Sequence, residues 1–142
     1  MPAVYEKMGI RFSYPENWTL DEEDALEGEA SVSVYSPGGA FWTIVLHPRS
    51  TDPRKLALAA MQAVQREYED FEAEPVSENM VDRELTGFDM NFYCLDLTNT
   101  ALVRAFRNSV ATCVVLCQAE DREFAAVAPV FRAITTSLLQ ND

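Results

Sequence analysis

The sequence predicts an α+β fold in which an antiparallel β-sheet is sandwiched between helices. Three segments of alternating character follow one another, at Phe88–Leu97, Ala101–Arg107 and Ala111–Gln118, and they predict a meander of strands. Both faces of this meander are largely apolar. Because an antiparallel sheet with one face in water alternates apolar and polar residues, we expect each face to be covered. Two helical patterns elsewhere in the chain supply the covers.

The N-terminal third predicts a short strand followed by a hairpin. Ile10–Tyr14 alternates, and Pro15 ends it. Ser31–Ser36 and Phe41–Leu46 are strand-like segments on either side of the Pro-Gly-Gly turn signal at residues 37–39. The second of these segments is more fully apolar, which indicates a strand buried on both sides.

The first helix is predicted to begin after Asp52, because Asp is a good N-cap and Pro53 suits the first helical position. Its buried stripe is Leu56, Ala60, Met61, Val64, Tyr68 and Phe71. Pro75 marks the exit into a polar segment around residues 72–84. A second stripe comprises Phe124, Val127, Phe131, Ile134 and Leu138. Pro129 interrupts that stripe, so it either kinks one helix or starts a second.

The register of the meander follows if Thr98-Asn99 and Asn108-Ser109 are two-residue turns. One face is then Met90, Phe92, Cys94, Val103, Ala105, Thr112, Val114 and Leu116. The opposite face is Asn91, Tyr93, Leu95, Leu102, Arg104, Phe106, Cys113, Val115 and Cys117. In this register Tyr93 lies directly across from Arg104.

Composition indicates a single domain over residues 1–142, with 48% hydrophobic and 24% charged residues. No apolar run approaches the roughly 20 residues that span a bilayer, and the first residues have no signal-peptide core. The three cysteines lie in strand-like apolar segments. Because such an odd set is best explained by reduced thiols, we expect a cytoplasmic protein.

The chain is acidic, with a net charge of −12 that is unevenly distributed. Residues 67–96 hold ten acidic residues and one basic residue, whereas residues 31–66 hold one acidic residue and four basic residues. Phosphate backbones and anionic lipids would repel this chain, so we expect neither a nucleic-acid partner nor a membrane. The acidic run Asp21–Glu29 predicts a solvated loop. A calcium loop is the weaker interpretation, because Leu26 stands where the turn glycine belongs.

Two segments carry a resemblance to a known family. The opening Gly9–Trp18 has a strand, a Tyr-Pro turn and a Trp, and the closing Ala128–Leu138 is a helix with a Ser-plus-apolar ending. With the hairpin, helix and meander between them, the chain resembles the family of the PsbP extrinsic subunit of photosystem II and the Mog-type Ran-binding proteins. The resemblance implies a PsbP-like α/β/α sandwich and a binding or assembly role, such as an adaptor or chaperone.

No catalytic constellation or cofactor motif is present in the sequence, so we expect neither an enzyme nor a bound cofactor or metal. The only histidine, His47, ends an apolar strand, where a satisfied structural role is the simpler interpretation. Cys113 and Cys117 share a face but lie about 13 Å apart along a strand, which excludes a disulfide or a shared metal ion. All three cysteines are explained as small buried hydrophobes.

Two surfaces are candidates for binding. The face that holds Tyr93, Arg104 and Phe106 predicts a groove for an apolar ligand or a peptide, unless a helix or the N-terminal segment covers it. The basic loop 47–55 is the second candidate. Its cations Arg49, Arg54 and Lys55 lie at a helix N-terminus and suit an anion, unless Asp52 already caps the same amides. We therefore expect a protein-binding module, with a small-ligand or anion-binding protein as the alternative.

Overall fold

The computed structural model describes residues 2–23 and 30–142, and within these ranges it contains nine strands and two helices. The strands are β1 (Pro2–Lys7), β2 (Ile10–Pro15), β3 (Thr19–Glu23), β4 (Ala30–Tyr35), β5 (Phe41–His47), β6 (Glu69–Met80), β7 (Arg83–Cys94), β8 (Leu97–Arg107) and β9 (Thr112–Glu120). The helices are α1 (Pro53–Glu67) and α2 (Asp121–Gln140).

Seven of the strands form one antiparallel sheet in the order β3-β4-β5-β9-β8-β7-β6. β1 and β2 form a separate antiparallel hairpin. Because the helices follow or separate runs of antiparallel strands, the fold belongs to the α+β class, as predicted. The predicted hairpin and the three-stranded meander are both present.

Helix α1 begins where the sequence predicts. Asp52 is the N-cap, its Oδ1 accepts a hydrogen bond from the Arg54 backbone N–H at 2.9 Å, and Pro53 is the first helical residue. The helix ends earlier than expected, because Tyr68 is already extended and Phe71 lies in β6.

The polar segment 72–84 is the largest error of the secondary-structure prediction. It forms most of β6 and the start of β7 rather than an irregular connection. β6 is the outermost strand of the sheet, so its acidic side chains can stay in water and its alternation is weak. An outer strand is also where proline is tolerated, which accounts for Pro75.

Helix α2 settles the two alternatives for Pro129, since one helix continues through this residue. Proline has no N–H, so the carbonyl of Ala125, four residues earlier, lacks its usual partner within the helix. The strands β1 and β3 were not predicted. β3 takes up the first residues of the acidic run, Asp21 to Glu23, and the rest of the proposed loop, residues 24–29, lies outside the described residues.

The core consists of two clusters on opposite faces of the central strands. Ala57 and Val64 of α1 belong to a cluster with Met90, Phe92, Ala101, Val103, Ala105 and Val114. Phe131, Ile134 and Leu138 of α2 belong to a cluster with Phe106, Cys113, Val115 and Cys117. The two faces predicted for the meander are therefore confirmed. The β1–β2 hairpin joins the α2 side, where the Phe12 ring lies 4.8 Å from the Trp42 ring.

The first predicted turn of the meander is misplaced and the second is longer than predicted, although the faces are right. The first turn is Leu95-Asp96, with φ of 53° and 63°, and not Thr98-Asn99. The second connection is a loop over residues 108–111, not two residues. Its conformation is held by Asn108, whose Oδ1 accepts hydrogen bonds from the N–H groups of residues 110 and 111 at 2.9 and 2.8 Å. Each error displaces the cross-strand partners by an even number of residues, and such a shift leaves every side chain on its own face.

Candidate functional site

The middle of helix α2 separates two apolar grooves. The sheet groove, between α2 and the sheet, has a cavity volume of about 460 Å³ and is lined mainly by Leu102, Arg104, Val115, Cys117, Pro129 and Phe131. The hairpin groove, between α2 and the β1–β2 hairpin, has a cavity volume of about 550 Å³ and is lined mainly by Pro2, Tyr14, Pro15, Pro129, Val130 and Ala133. Pro129 lines both grooves and is exposed, so it forms part of the ridge between them.

The sheet groove has a strongly ion-paired wall at Arg104. Its Nε donates to Glu78 Oε1 at 2.8 Å, its Nη2 donates to Asp89 Oδ1 at 2.7 Å, and its Nη1 donates to two main-chain carbonyls. Only 12% of the Arg104 side chain is exposed. Gly87 lies directly opposite on β7. Arg132 of α2 adds a further contact with Glu78 at 3.5 Å, so this cluster ties the helix to the outer strand.

The surroundings of Arg104 and Glu78 favour the ionised form of both side chains. Burial by itself raises the pKa of Glu78, but the hydrogen bond and positive charge of Arg104, with a smaller effect of Arg132, lower that pKa overall. Burial alone lowers the pKa of Arg104, and its two carboxylate partners outweigh this and raise it. The groove wall therefore presents a compensated ion cluster rather than an isolated cation.

Replacing Arg104 with Met should lower the free energy of unfolding by about 2–3 kcal/mol, because Glu78 and Asp89 then lose their cation. The cost stays below that of a fully buried pair because 41% of the Asp89 side chain is exposed. Urea unfolding followed by tryptophan fluorescence measures the difference. Arg66→Met, at an exposed position of α1, is the control and should change stability by about 0.5 kcal/mol or less.

The difference in unfolding free energy between the native chain and Arg104→Met should also depend on pH. The pKa of Glu78 is lower in the folded protein than in the unfolded chain, where it is about 4.3. The ionised Glu78 therefore stabilises the folded protein above the unfolded pKa, and this stabilisation is lost as the pH falls through the folded-state pKa. The stability gap between the native chain and Arg104→Met should therefore narrow from about pH 6 to about pH 3. A gap that stays constant across this range contradicts the assignment.

The predicted pairing of Tyr93 with Arg104 is wrong. Tyr93 lies opposite Thr98 and is 47% exposed, while Arg104 lies opposite Gly87 and binds carboxylates. Phe106 is 2% exposed and packs in the core beneath α2. Of the three residues, only Arg104 lines the sheet groove.

Sequence reasoning missed two of Arg104's neighbours in this groove, Glu78 and Arg132. The contact with Glu78 depends on β6, which was not recognised as a strand. Alternating acids at residues 72, 74 and 78 were the available signal, because a period of two indicates an extended segment.

The basic loop 47–55 does not gather its cations around one point. Arg49 Nε donates to the Asn108 carbonyl at 2.9 Å, and Arg54 Nε lies 3.7 Å from its neighbour Asp52. A cleft of about 390 Å³ beside the loop is lined by Arg54, but Arg49 and Lys55 do not line it. The Arg54 backbone N–H, as the largest cause, lowers the pKa of Asp52, so an ionised carboxylate already occupies the helix N-terminus. These contacts favour the capping-loop interpretation over an anion site.

The thiols of the two buried cysteines, Cys113 and Cys117, lack the surroundings of a nucleophile, whereas Cys94, predicted to be buried, is half-buried. Burial raises the pKa of Cys113 to about 12 and also raises that of Cys117. His47 lies opposite Thr112, whose side chain alternates to the face away from Cys113, so His47 and Cys113 do not form a pair. Among the residues that the structure describes, no group of three or more His, Cys, Asp or Glu side chains could hold a metal ion.

No helix formed by residues 2–23 or 30–142 combines the length and the apolar character needed to cross a membrane.

Comparison with solved structures identifies several chains of the same fold. Cyanobacterial PsbP (CyanoP) from Synechocystis sp. PCC 6803 is 15% identical, with a TM-score of 0.62 over 96% of this chain and 90% of that one. PA94 of Pseudomonas aeruginosa, a protein of unknown function, is 11% identical, with a TM-score of 0.54 over 96% and 95%. LpqN of Mycobacterium tuberculosis, involved in cell envelope biogenesis, is 13% identical, with a TM-score of 0.51 over 94% and 86%.

These similarities establish a PsbP-like fold, which the sequence resemblance predicted, and at such low identity they show the fold alone. No family model and no curated protein sequence matches the chain.

Proposed function

We propose that this chain is a non-enzymatic protein-binding module, an adaptor or chaperone in the cytosol, that holds an apolar segment of another protein around the middle of helix α2. The observation that carries the proposal is the position of the two apolar grooves on either side of one exposed ridge at Pro129. A small molecule needs only one cavity. A polypeptide segment lying across the ridge can place large side chains into both grooves.

The ridge itself suits close contact with another chain. Its exposed residues include the small Ala125 and Ala133 on either side of Pro129, beside the longer Arg132. Small side chains allow a partner to approach the helix backbone closely, and the Ala125 carbonyl, which receives no hydrogen bond from residue 129, can accept one from the partner. The buried thiols and their raised pKa values support a role without nucleophilic chemistry.

We also propose that the fold is a PsbP-type α/β/α sandwich of the kind found in Mog-type proteins. One helix contributes to the core on each face of the central strands, which supports a PsbP-type α/β/α sandwich. The relation to Mog-type proteins rests on the segments Gly9–Trp18 and Ala128–Leu138 alone.

Site-specific photo-cross-linking tests the proposal. A photo-reactive amino acid at Ala126, an exposed position one turn before Pro129 that lines neither groove, is compared with the same group at Gln65, an exposed position of α1. We expect a defined protein to be cross-linked in native lysate from Ala126 and not from Gln65. For that protein after purification, Ala128→Trp and Ala133→Trp should each weaken binding about tenfold or more, because they fill the two grooves.

Identical cross-linked proteins from both positions, or an unchanged affinity with both groove-filling variants, would contradict the proposal. A separate measurement tests the alternative that the chain binds a small ligand or an anion. Thermal-shift measurements with phosphate, nucleotides and organic acids would favour it if a shift appeared and was abolished by Arg49→Ala and Arg54→Ala.

A further inference from the structure

The outer strand β6 leaves one edge of the sheet without a neighbouring strand in the described part of the chain. β6 is 12 residues long, about twice the usual strand length of 5–6 residues. Its pairing with β7 is regular from Glu72 to Met80. The outward main-chain N–H and C=O groups of such an edge can pair with another extended segment.

The two outermost strands at this edge, β6 and β7, lie in the part of the chain with the largest excess of acidic over basic residues. Residues 67–96, which include all of β6 and β7, hold ten acidic residues and one basic residue. The register places the side chains of Glu72, Glu74 and Glu78 on one face of the sheet, the face of Asp89. Glu78 is engaged by Arg104, but Glu72 and Glu74 make no hydrogen bond or ion pair with any residue that the structure describes.

These charges determine which segment the edge can accept. A second copy of this chain would bring its own carboxylates against Glu72 and Glu74, and like charges directly opposite one another destabilise a strand pair. A segment with Lys or Arg at every second position would instead place its cations on the same face as these carboxylates, since side chains alternate with a period of two.

We propose that the free edge of β6 binds an extended, cationic segment of a partner protein as an additional strand, with alternate Lys or Arg side chains beside Glu72 and Glu74. Pro75 has no N–H and therefore adds no main-chain donor to this edge. The site is separate from the two grooves beside α2 and does not rest on the function proposed for them.

A synthetic peptide that alternates lysine and threonine, KTKTKTK, is the probe. It should bind at low salt, and its binding should increase the amide hydrogen-exchange protection of β6 in NMR spectra. Glu72→Gln combined with Glu74→Gln should weaken binding about three- to tenfold. The control is Gln62→Lys combined with Gln65→Lys on α1, which changes the net charge by the same +2 and should weaken binding less.

Two further peptides separate strand addition from general attraction between opposite charges. ETETETE should bind at least about tenfold more weakly than KTKTKTK. A version of KTKTKTK with every main-chain nitrogen methylated keeps its charge but cannot pair as a strand, so it should lose the protection of β6. Equal binding by the methylated peptide, equal affinities of the two double variants, or no binding of KTKTKTK up to about 5 mM overturns the proposal. Ala128→Trp and Ala133→Trp should leave this binding unchanged, which distinguishes it from the groove function.

Discussion

Trp42→Ala is expected to lower the free energy of unfolding by about 4 kcal/mol and the melting temperature by about 15 °C. Trp42 is fully buried in β5, and its ring lies 4.8 Å from that of Phe12 in the N-terminal hairpin. Its Nε1 donates a hydrogen bond to Thr135 Oγ1 of α2 at 2.9 Å. One side chain thus connects the sheet, the hairpin and the helix, and its removal leaves a cavity between all three.

A milder pair of variants keeps this prediction measurable if Trp42→Ala does not fold. Trp42→Phe removes the indole donor, and Thr135→Val removes its acceptor, leaving a buried N–H without a partner at a cost of about 1–3 kcal/mol. The double variant should therefore be less unstable than the sum of the two single variants. Strict additivity in urea unfolding would show that the hydrogen bond does not couple β5 to α2.

The faces of the sheet were predictable because they depend only on alternation along the chain. Met90 and Val103 lie with α1, and Val115 and Cys117 lie with α2, as the pattern indicates. The start of α1 was predictable for a similar reason, since Asp52 and Pro53 act within their own turn. These features depend on residues close together in the sequence and not on contacts between distant segments.

The cross-strand partners were not predictable, because turn residues do not identify their own position when several polar residues adjoin. Thr98 and Asn99 suit a turn, yet the chain turns at Leu95-Asp96, where a leucine takes a left-handed conformation and is 90% exposed. The turn propensities of these residues disfavour a turn at Leu95-Asp96, and the pairing of β7 with β8 overrides them.

The grooves beside α2 lay beyond sequence reasoning for a different reason. They are formed by gaps between elements distant in the chain, such as Pro2 and Pro129 in the hairpin groove. Arg104 was recognised as unusual on an apolar face, but its partner Glu78 lies on a strand that the acidic composition concealed. The position of a charged residue was evident from the sequence, whereas the identity of its counter-ion required the strand order.

Gly87→Ala is expected to destabilise the protein by about 3 kcal/mol or more, although it adds only one methyl group. A Cβ at this position would lie 1.7 Å from the carbonyl oxygen of Val103 on the neighbouring strand, so main chain would have to move. Glycine within a strand marks such close approach of two backbones. Urea unfolding measures the loss.

Gly38→Ala is the matched control, because its Cβ would meet only the end of a flexible side chain, Glu123, at 2.5 Å. That carboxylate can rotate away and would give up its 2.8 Å hydrogen bond from Ser36, a cost of about 1 kcal/mol. Equal effects of the two glycine substitutions would contradict the backbone clash at Gly87.

The clash that Gly87→Ala creates should also disturb the position of Arg104 on the wall of the sheet groove. The Val103 carbonyl that the new Cβ would displace accepts a hydrogen bond from Arg104 Nη1 at 2.9 Å. Moving this carbonyl weakens its hydrogen bond with the Arg104 guanidinium. Gly87→Ala therefore already removes part of the stabilisation that Arg104 provides. The Gly87→Ala and Arg104→Met double variant should therefore be more stable than the sum of the single effects predicts, by about 0.5–1 kcal/mol. If the two effects simply add, Gly87 supports the sheet alone and has no part in positioning the ion cluster on the groove wall.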